Sequence, residues 1–219
     1  MRQHPLVRPR GDVITHPTRG TCRVLRAAGD VNAWRAFPPA VDAVRPTHCP
    51  GCGAASRVLG ESLTLHGHGR RTRQVRGPLD ADGDPRERVV LVRRYRCTRC
   101  RTVVTVVPCD VLPRRHYGAA AIALAFALFG VLGLSAALVR RAISTWRIVG
   151  VAARGWRSLA AWIDAAVDGT LWKDARAGPP GATRRAHAHR LAMSLAGHAP
   201  SATGGTFAHQ ACVGAARCT

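Results

Sequence analysis

Residues 88–107 read RVVLVRRYRCTRCRTVVTVV, and residues 49–52 read CPGC. In each stretch two residues separate a pair of cysteines, which lets one tight turn aim both sulfurs at a single ion. Two such pairs complete a tetrahedral set of four thiolates. Cys49, Cys52, Cys97 and Cys100 are therefore expected to hold one structural zinc ion, Zn2+, and Gly51 suits the tight first knuckle. The runs 88–96 and 102–107 are rich in β-branched residues and read as strands on either side of the second knuckle. A further strand falls within 62–75, with the acidic stretch DADGDP (80–85) as the turn between it and the next strand. Together these features describe a zinc ribbon over 48–112.

The 44 residues between the two knuckles exceed the compact spacing of about 15–20. A long hairpin absorbs the excess, because added loop length costs little. A redox reading of either pair is weaker, since no βαβ pattern surrounds it. Cys109 reads as a packed thiol, and Cys22, Cys212 and Cys218 have no partner spacing. His48, His66 and His68 read as bystanders on the surface. DADGDP is not a calcium loop, because Pro85 and Leu91 stand where such a loop needs Gly and a bidentate Glu.

Lys and Arg number 33 against 12 Asp and Glu, a formal charge of +21, and Lys173 is the single lysine. An excess of this size favours a polyanionic partner, nucleic acid first and an acidic membrane surface second. The arginines crowd the ribbon: Arg70, Arg71, Arg73 and Arg76 in one strand region, Arg93, Arg94, Arg96, Arg99 and Arg101 around the second knuckle. With the apolar strand residues turned to a small core, these arginines are expected to project outward toward phosphates. The first residues show no secretory signal, which places the chain in the cytoplasm of a bacterium-like cell, with reduced thiols.

Residues 118–139 form an uncharged run of 22 residues, long enough by itself to span a membrane. The rival reading is thus a single-pass membrane protein with a cytosolic ribbon. Against it, eight of the 22 are Ala and three are Gly, with Gly130 and Gly133 at the middle. Ser135 is placed to N-cap a new helix, and Leu134 and Val139 match a hydrophobic staple. Helices are predicted at 117–129, 136–143 and 152–167. Leu138, Val139, Ala142 and Ile143 should share the buried face of the second, leaving Arg140 and Arg141 outward. Trp156, Leu159, Ile163 and Val167 recur at helical spacing in the third, with Arg154 and Arg157 near its start. Three short helices are compatible with a helix-turn-helix module over 113–176. Residues 1–47 read as an irregular N-terminal segment. Residues 177–219 read as a low-complexity tail with a short helix near 184–195. The fold class expected is α+β: a small antiparallel ribbon, then a three-helix region, with irregular ends.

CPGC, the basic hairpin ending RRYRCTRC, the TVVP exit and LPRRHY at 112–117 together resemble bacterial proteins associated with insertion sequences. In that group a zinc ribbon precedes a helix-turn-helix region, as at the DNA-binding front end of some transposases, and some members lack a catalytic domain. The resemblance covers roughly residues 34–168. It implies zinc on the four cysteines, and DNA contact through the ribbon and the helices of 117–167. It implies a transposase or a second copy of the chain as protein partner. It supplies no reaction. Two-metal transposase chemistry needs three carboxylates on a sheet. Here Glu61 and Glu87 are the only glutamates, and Asp164, Asp168 and Asp174 the only acids after Asp110. No catalytic residue is assigned. The expectation is a zinc-dependent DNA-binding protein tied to a mobile element, not an enzyme; binding to RNA or to a partner protein is the third reading.

Overall fold

The computed structural model describes residues 22–146 and 156–218. Its class is α+β, with a four-stranded mixed sheet and six α-helices. Strands β1 (Cys22–Ala27), β2 (Leu65–Gly77), β3 (Arg86–Cys97) and β4 (Val103–Pro108) lie in the order β1-β4-β3-β2. β2, β3 and β4 form the expected antiparallel meander, and β1 adds parallel to β4 with Cys22 opposite Val103. The predicted turn at 80–85 falls inside the β2–β3 connection. β2 carries a bulge between Gly67 and Arg70, which leaves His68 and Gly69 opposite one residue of β3. His66 and His68 are exposed, as expected of surface residues.

The chain before the first cysteine pair is not irregular throughout. After β1, Asp30 caps helix α1 (Val31–Ala36), its carboxylate accepting from Ala33 N at 2.8 Å. Val31 and Trp34 of α1 are buried in the sheet's core with Leu65, Val75, Val90, Val92, Tyr95 and Val104. The segment that follows also serves the sheet. Tyr95 donates its hydroxyl to Val41 O at 2.6 Å, and Arg93 Nε donates to Pro39 O at 2.8 Å.

The uncharged run is no membrane span. It forms α2 (Ala119–Phe126), continues as a π-helical stretch (Ala127–Val131), breaks at Gly133 (φ +68) and restarts as α3 (Ala136–Ile143). Ser135 caps α3 by accepting from Leu138 N at 3.3 Å. All eight residues of α2 are buried. A helix apolar on every side must be covered on every side; here protein does the covering. α4 (Arg157–Val167), α5 (Arg184–Ala196) and α6 (Phe207–Arg217) join α2 and α3 in one core around Phe126, Ile143, Trp172 and Leu191. Among the described residues no helix is long and apolar enough to cross a membrane.

Among the described residues the helical half holds five helices rather than three: α5 matches the short helix expected near 184–195, and α6 forms in the stretch otherwise read as a tail. Thr183 and Thr206 cap α5 and α6. The lack of a side chain at Gly130 permits close approach: a Cβ there would sit 2.2 Å from His189 N, so the π-helical stretch and α5 meet backbone to backbone. α3 occupies the predicted residues, but its buried face is narrower. Val139 and Ile143 are buried, whereas Leu138 is 45% exposed. Val167, at the end of α4, is also open, and Trp162 fills the core instead. The predicted start of that helix at 152–155, with Arg154, lies outside the described residues.

Residues 112–117 form the seam between sheet and helices. Arg76 N donates to His116 O at 2.7 Å and Gly118 N to Arg76 O at 3.1 Å, while Ala119 N donates to Asp110 O at 2.8 Å. Asp110 is buried, and its carboxylate accepts from Val31 N at 3.1 Å. Burial, opposed by that hydrogen bond, pushes its pKa up to about 6.

Candidate metal centre

The two knuckles are built alike. In the first, Cys49 N donates to Ala54 O (2.8 Å) and Gly53 N to Cys49 O (2.8 Å). In the second, Cys97 N donates to Thr102 O (3.0 Å) and Arg101 N to Cys97 O (3.1 Å). The residue after the second cysteine takes a left-handed conformation in both, Gly53 at φ +72 and Arg101 at φ +63. Glycine meets this requirement freely, while a side chain at Arg101 carries backbone strain. A ladder of backbone bonds joins the knuckles: Ser56 N to Thr47 O, Thr64 N to Ser56 O and Thr98 N to Thr64 O, at 2.8, 3.0 and 2.9 Å.

This folding brings the four sulfurs within 4.8 Å of one another. Cys49 Sγ lies 3.6 Å from Cys100 Sγ, and Cys52 Sγ lies 3.8 Å from Cys97 Sγ. A tetrahedron of thiolates at a zinc–sulfur distance of about 2.3 Å has edges of about 3.8 Å. The donor set therefore fits a four-coordinate metal ion, held by Cys49 and Cys97 from the buried side and by Cys52 and Cys100 from the open side. All four positions are filled by protein, the arrangement of a structural site. Gly51 is required by proximity: a Cβ there would meet Thr102 Oγ1 at 2.4 Å and Cys100 Sγ at 3.3 Å. The eight cysteines form no disulfide, and Cys22, Cys109, Cys212 and Cys218 stand apart from this cluster.

The thiols are not equivalent. Burial opposes charge on Cys100, but the Thr102 hydroxyl at 3.2 Å, the Thr102 backbone N–H and the neighbouring thiols outweigh it and pull its pKa down to about 6. At Cys52 a backbone bond from Ala54 favours the thiolate, yet burial and the other three thiols push it up to about 12. Burial first, then the neighbouring thiols, raise Cys49. A metal ion removes this mutual repulsion by neutralising the sulfurs together. Thr102 is a site residue that the motif alone does not announce; its place two residues beyond the last cysteine, matching Ala54, is the available signal.

The arginines do not form one face. Paired positions across the sheet show that Arg71, Arg94 and Arg96 point to the same side as Thr105 and Val103, whereas Arg70, Arg76 and Arg93 point to the other. Several guanidiniums serve the fold. Arg93 holds Pro39 O. Arg73 donates to Arg115 O at 2.8 Å and Leu112 O at 3.4 Å, and burial lowers its basicity. Arg76 pairs with Glu87 at 2.9 Å. Arg70, Arg71, Arg96, Arg99 and Arg101 are exposed, Arg94 is half-buried, and the guanidiniums of these six make no hydrogen bond or ion pair among the described residues. Four of them, Arg94, Arg96, Arg99 and Arg101, flank the second knuckle.

On the helices, Arg141 and Arg157 are exposed and Arg140 is half-buried. The outward side of α4 carries Asp164, Asp168 caps its C-terminal end, and Arg184 of α5 grips Asp164 through two contacts of 3.1 and 3.2 Å.

Residues 49–137, from the first cysteine of the cluster to the start of α3, match a family described as a domain of unknown function (DUF6431). No curated protein and no solved structure matches the chain.

Proposed function

We propose that this chain is a zinc-dependent DNA-binding protein in which the metal centre organises an arginine surface for phosphate contact, and that it binds without catalysing a reaction. The observation that carries this reading is the adjacency of a closed four-cysteine set to Arg94, Arg96, Arg99 and Arg101, whose guanidiniums have no protein partner among the described residues. Folded arginines that lack acidic partners face water or a polyanion, and a net charge of +21 favours the polyanion. Zinc is the metal a tetrahedral thiolate set of this kind takes most readily in a reduced compartment. The cytoplasm, the mobile-element association and a transposase or second copy as partner rest on the reduced thiols and on the sequence resemblance.

A helix-turn-helix role for α2, α3 and α4 has less support than the ribbon. α2 is wholly buried, and α4 presents Asp164 and Asp168, which repel phosphates. The contact surface is therefore assigned chiefly to the ribbon, with Arg141 on α3 and Arg157 at the start of α4 as outlying contributors.

The test is duplex-DNA affinity of the metal-loaded chain, of the same chain after a strong chelator, and of R99A/R101A, with structured RNA as competitor. The proposal expects chelation and the double substitution each to weaken DNA binding at least tenfold. Undiminished binding after metal removal would sink it, and preferential displacement by RNA would move the assignment to RNA.

A further inference from the structure

The seam between sheet and helices holds a second site. There a cleft of about 380 Å3 opens, within the size range of small-ligand pockets, about 300–1,000 Å3. Tyr117, Trp156 and Trp162 make its aromatic floor, packed edge to face with ring centroids 4.8–5.9 Å apart. At its mouth stands Trp146, 59% exposed. The Trp146 backbone is fixed where its N–H donates to Ser144 Oγ at 3.2 Å, and Tyr117 donates its hydroxyl to the same oxygen at 3.3 Å. Exposed tryptophan held in a fixed place is a stacking platform rather than core.

The rim is arginine. Arg76, Arg114, Arg115 and Arg140 line the cleft, and no acidic side chain does. Arg76 is committed to Glu87 and to the indole, its Cζ lying 5.5 Å from the Trp146 ring centre. Arg114 and Arg115 then set the sign of the cleft. Arg114 takes a left-handed backbone (φ +58), a conformation costly for a side chain and held by the surrounding seam. Arg115 Nε is buried without a hydrogen-bond partner. Buried donors of this kind call for an acceptor.

Charge and shape together select the ligand. An aromatic cage alone suits a cation, but a rim of guanidiniums without carboxylates repels one. A bare inorganic anion has no use for a tryptophan wall. A planar ring joined to a phosphate uses both halves. We propose that this cleft binds one nucleotide unit, the base stacked on Trp146 and the phosphate on Arg114 and Arg115. The site is separate from the metal centre: Arg76 lies eleven residues along β2 from Leu65, which pairs with Cys97, a distance of roughly 30–35 Å. It does not depend on the ribbon contacting DNA. The unit comes either from a free nucleotide or from an unpaired residue of a strand.

The experiment is calorimetric titration of the metal-loaded full chain with AMP, with the single strand (dT)6, with a blunt duplex and with inorganic phosphate. The variants are W146A, W146F, R114A/R115A and the ribbon control R99A/R101A. The proposal expects AMP or (dT)6 to bind more tightly than phosphate, W146A to weaken that binding about tenfold, W146F to retain most of it, and R114A/R115A to weaken it as strongly. R99A/R101A should leave AMP affinity unchanged. Tight AMP binding identifies a free nucleotide as the source. Binding of (dT)6 without AMP, lost in W146A, identifies an unpaired strand residue. AMP and (dT)6 binding no better than phosphate would overturn the proposal, as would affinities that W146A and R114A/R115A leave untouched. Failure of the ribbon reading would show separately, as duplex affinity indifferent to R99A/R101A.

Discussion

Replacing Gly51 by Ala tests how the two knuckles are fitted together. The added Cβ would lie 2.4 Å from Thr102 Oγ1, 3.1 Å from Thr102 Cβ and 3.3 Å from Cys100 Sγ. Gly51 does not occupy a left-handed conformation, so the whole cost comes from crowding. Thr102 is buried and its hydroxyl faces Cys100, which leaves it little room to turn away. Overpacking of this kind costs about 1–3 kcal/mol, and here it pushes apart ligands from opposite knuckles. Metal affinity should fall by about fivefold to a hundredfold, measured by competition for zinc with a chelator of known strength. Thr102→Ala alone removes the hydroxyl beside Cys100 and costs about 1 kcal/mol. In the double variant the closest clash is gone, so G51A/T102A should lose less than the sum of the two single losses. Gly53→Ala is the contrast: nothing lies within 4 Å of its Cβ, and only the φ of +72 is strained, at about 1–2 kcal/mol of stability. Wild-type zinc affinity in G51A, or strict additivity in the double variant, would refute the packing argument.

Two further outcomes concern the interior. Asp110 ionises near pH 6 in the folded chain against 3.8 for an unperturbed aspartate, so its contribution to stability is present below about pH 4 and lost as pH rises through 6. The stability of D110N relative to wild type should therefore increase by about 1 kcal/mol between pH 5 and pH 7; equal pH dependence of the two melting curves would contradict the buried-acid assignment. Gly130→Ala places a Cβ 2.2 Å from His189 N, a backbone atom that cannot rotate away. It should destabilise the helical half by about 2–3 kcal/mol, read as a lowered thermal midpoint, and an unchanged midpoint would show that the π-helical stretch does not meet α5 so closely.

The parts legible in the sequence are those whose cause is local. The C-x-x-C spacing fixes each knuckle within six residues, and the strands around Cys97 and Cys100 follow from their β-branched runs. Ser135 with Leu134 and Val139 places the start of α3, because a cap and a staple are short-range devices. What escapes is set by partners far along the chain. β1 is a six-residue strand, CRVLRA, with no alternation of its own, ordered by parallel pairing with β4 about eighty residues later. α6 hides in an Ala/Gly-rich stretch because its packing surface is small residues, Ala211, Cys212, Gly214 and Ala215, whose side chains offer little apolar area to read as a core face. The run 118–126 is apolar all round, which by itself fits cover by lipid as well as cover by helices; the glycines at 130 and 133 and the cap at Ser135 are what point to helices. The arginines are legible as charge but not as individuals: Arg73 and Arg93 hold backbone carbonyls in a chain with only 12 acids to offer, whereas Arg99 and Arg101 stay open.

The central claim is that arginines organised by the metal centre contact DNA phosphates, and the salt dependence of duplex affinity measures it most directly. For the metal-loaded chain, log Kobs against log salt should fall with a slope of about −0.9 for each phosphate neutralised. The account predicts that R94A/R96A/R99A/R101A makes that slope shallower by about 3–4 while the zinc content stays at one ion per chain. An unchanged slope in the fully metal-loaded quadruple variant would contradict it.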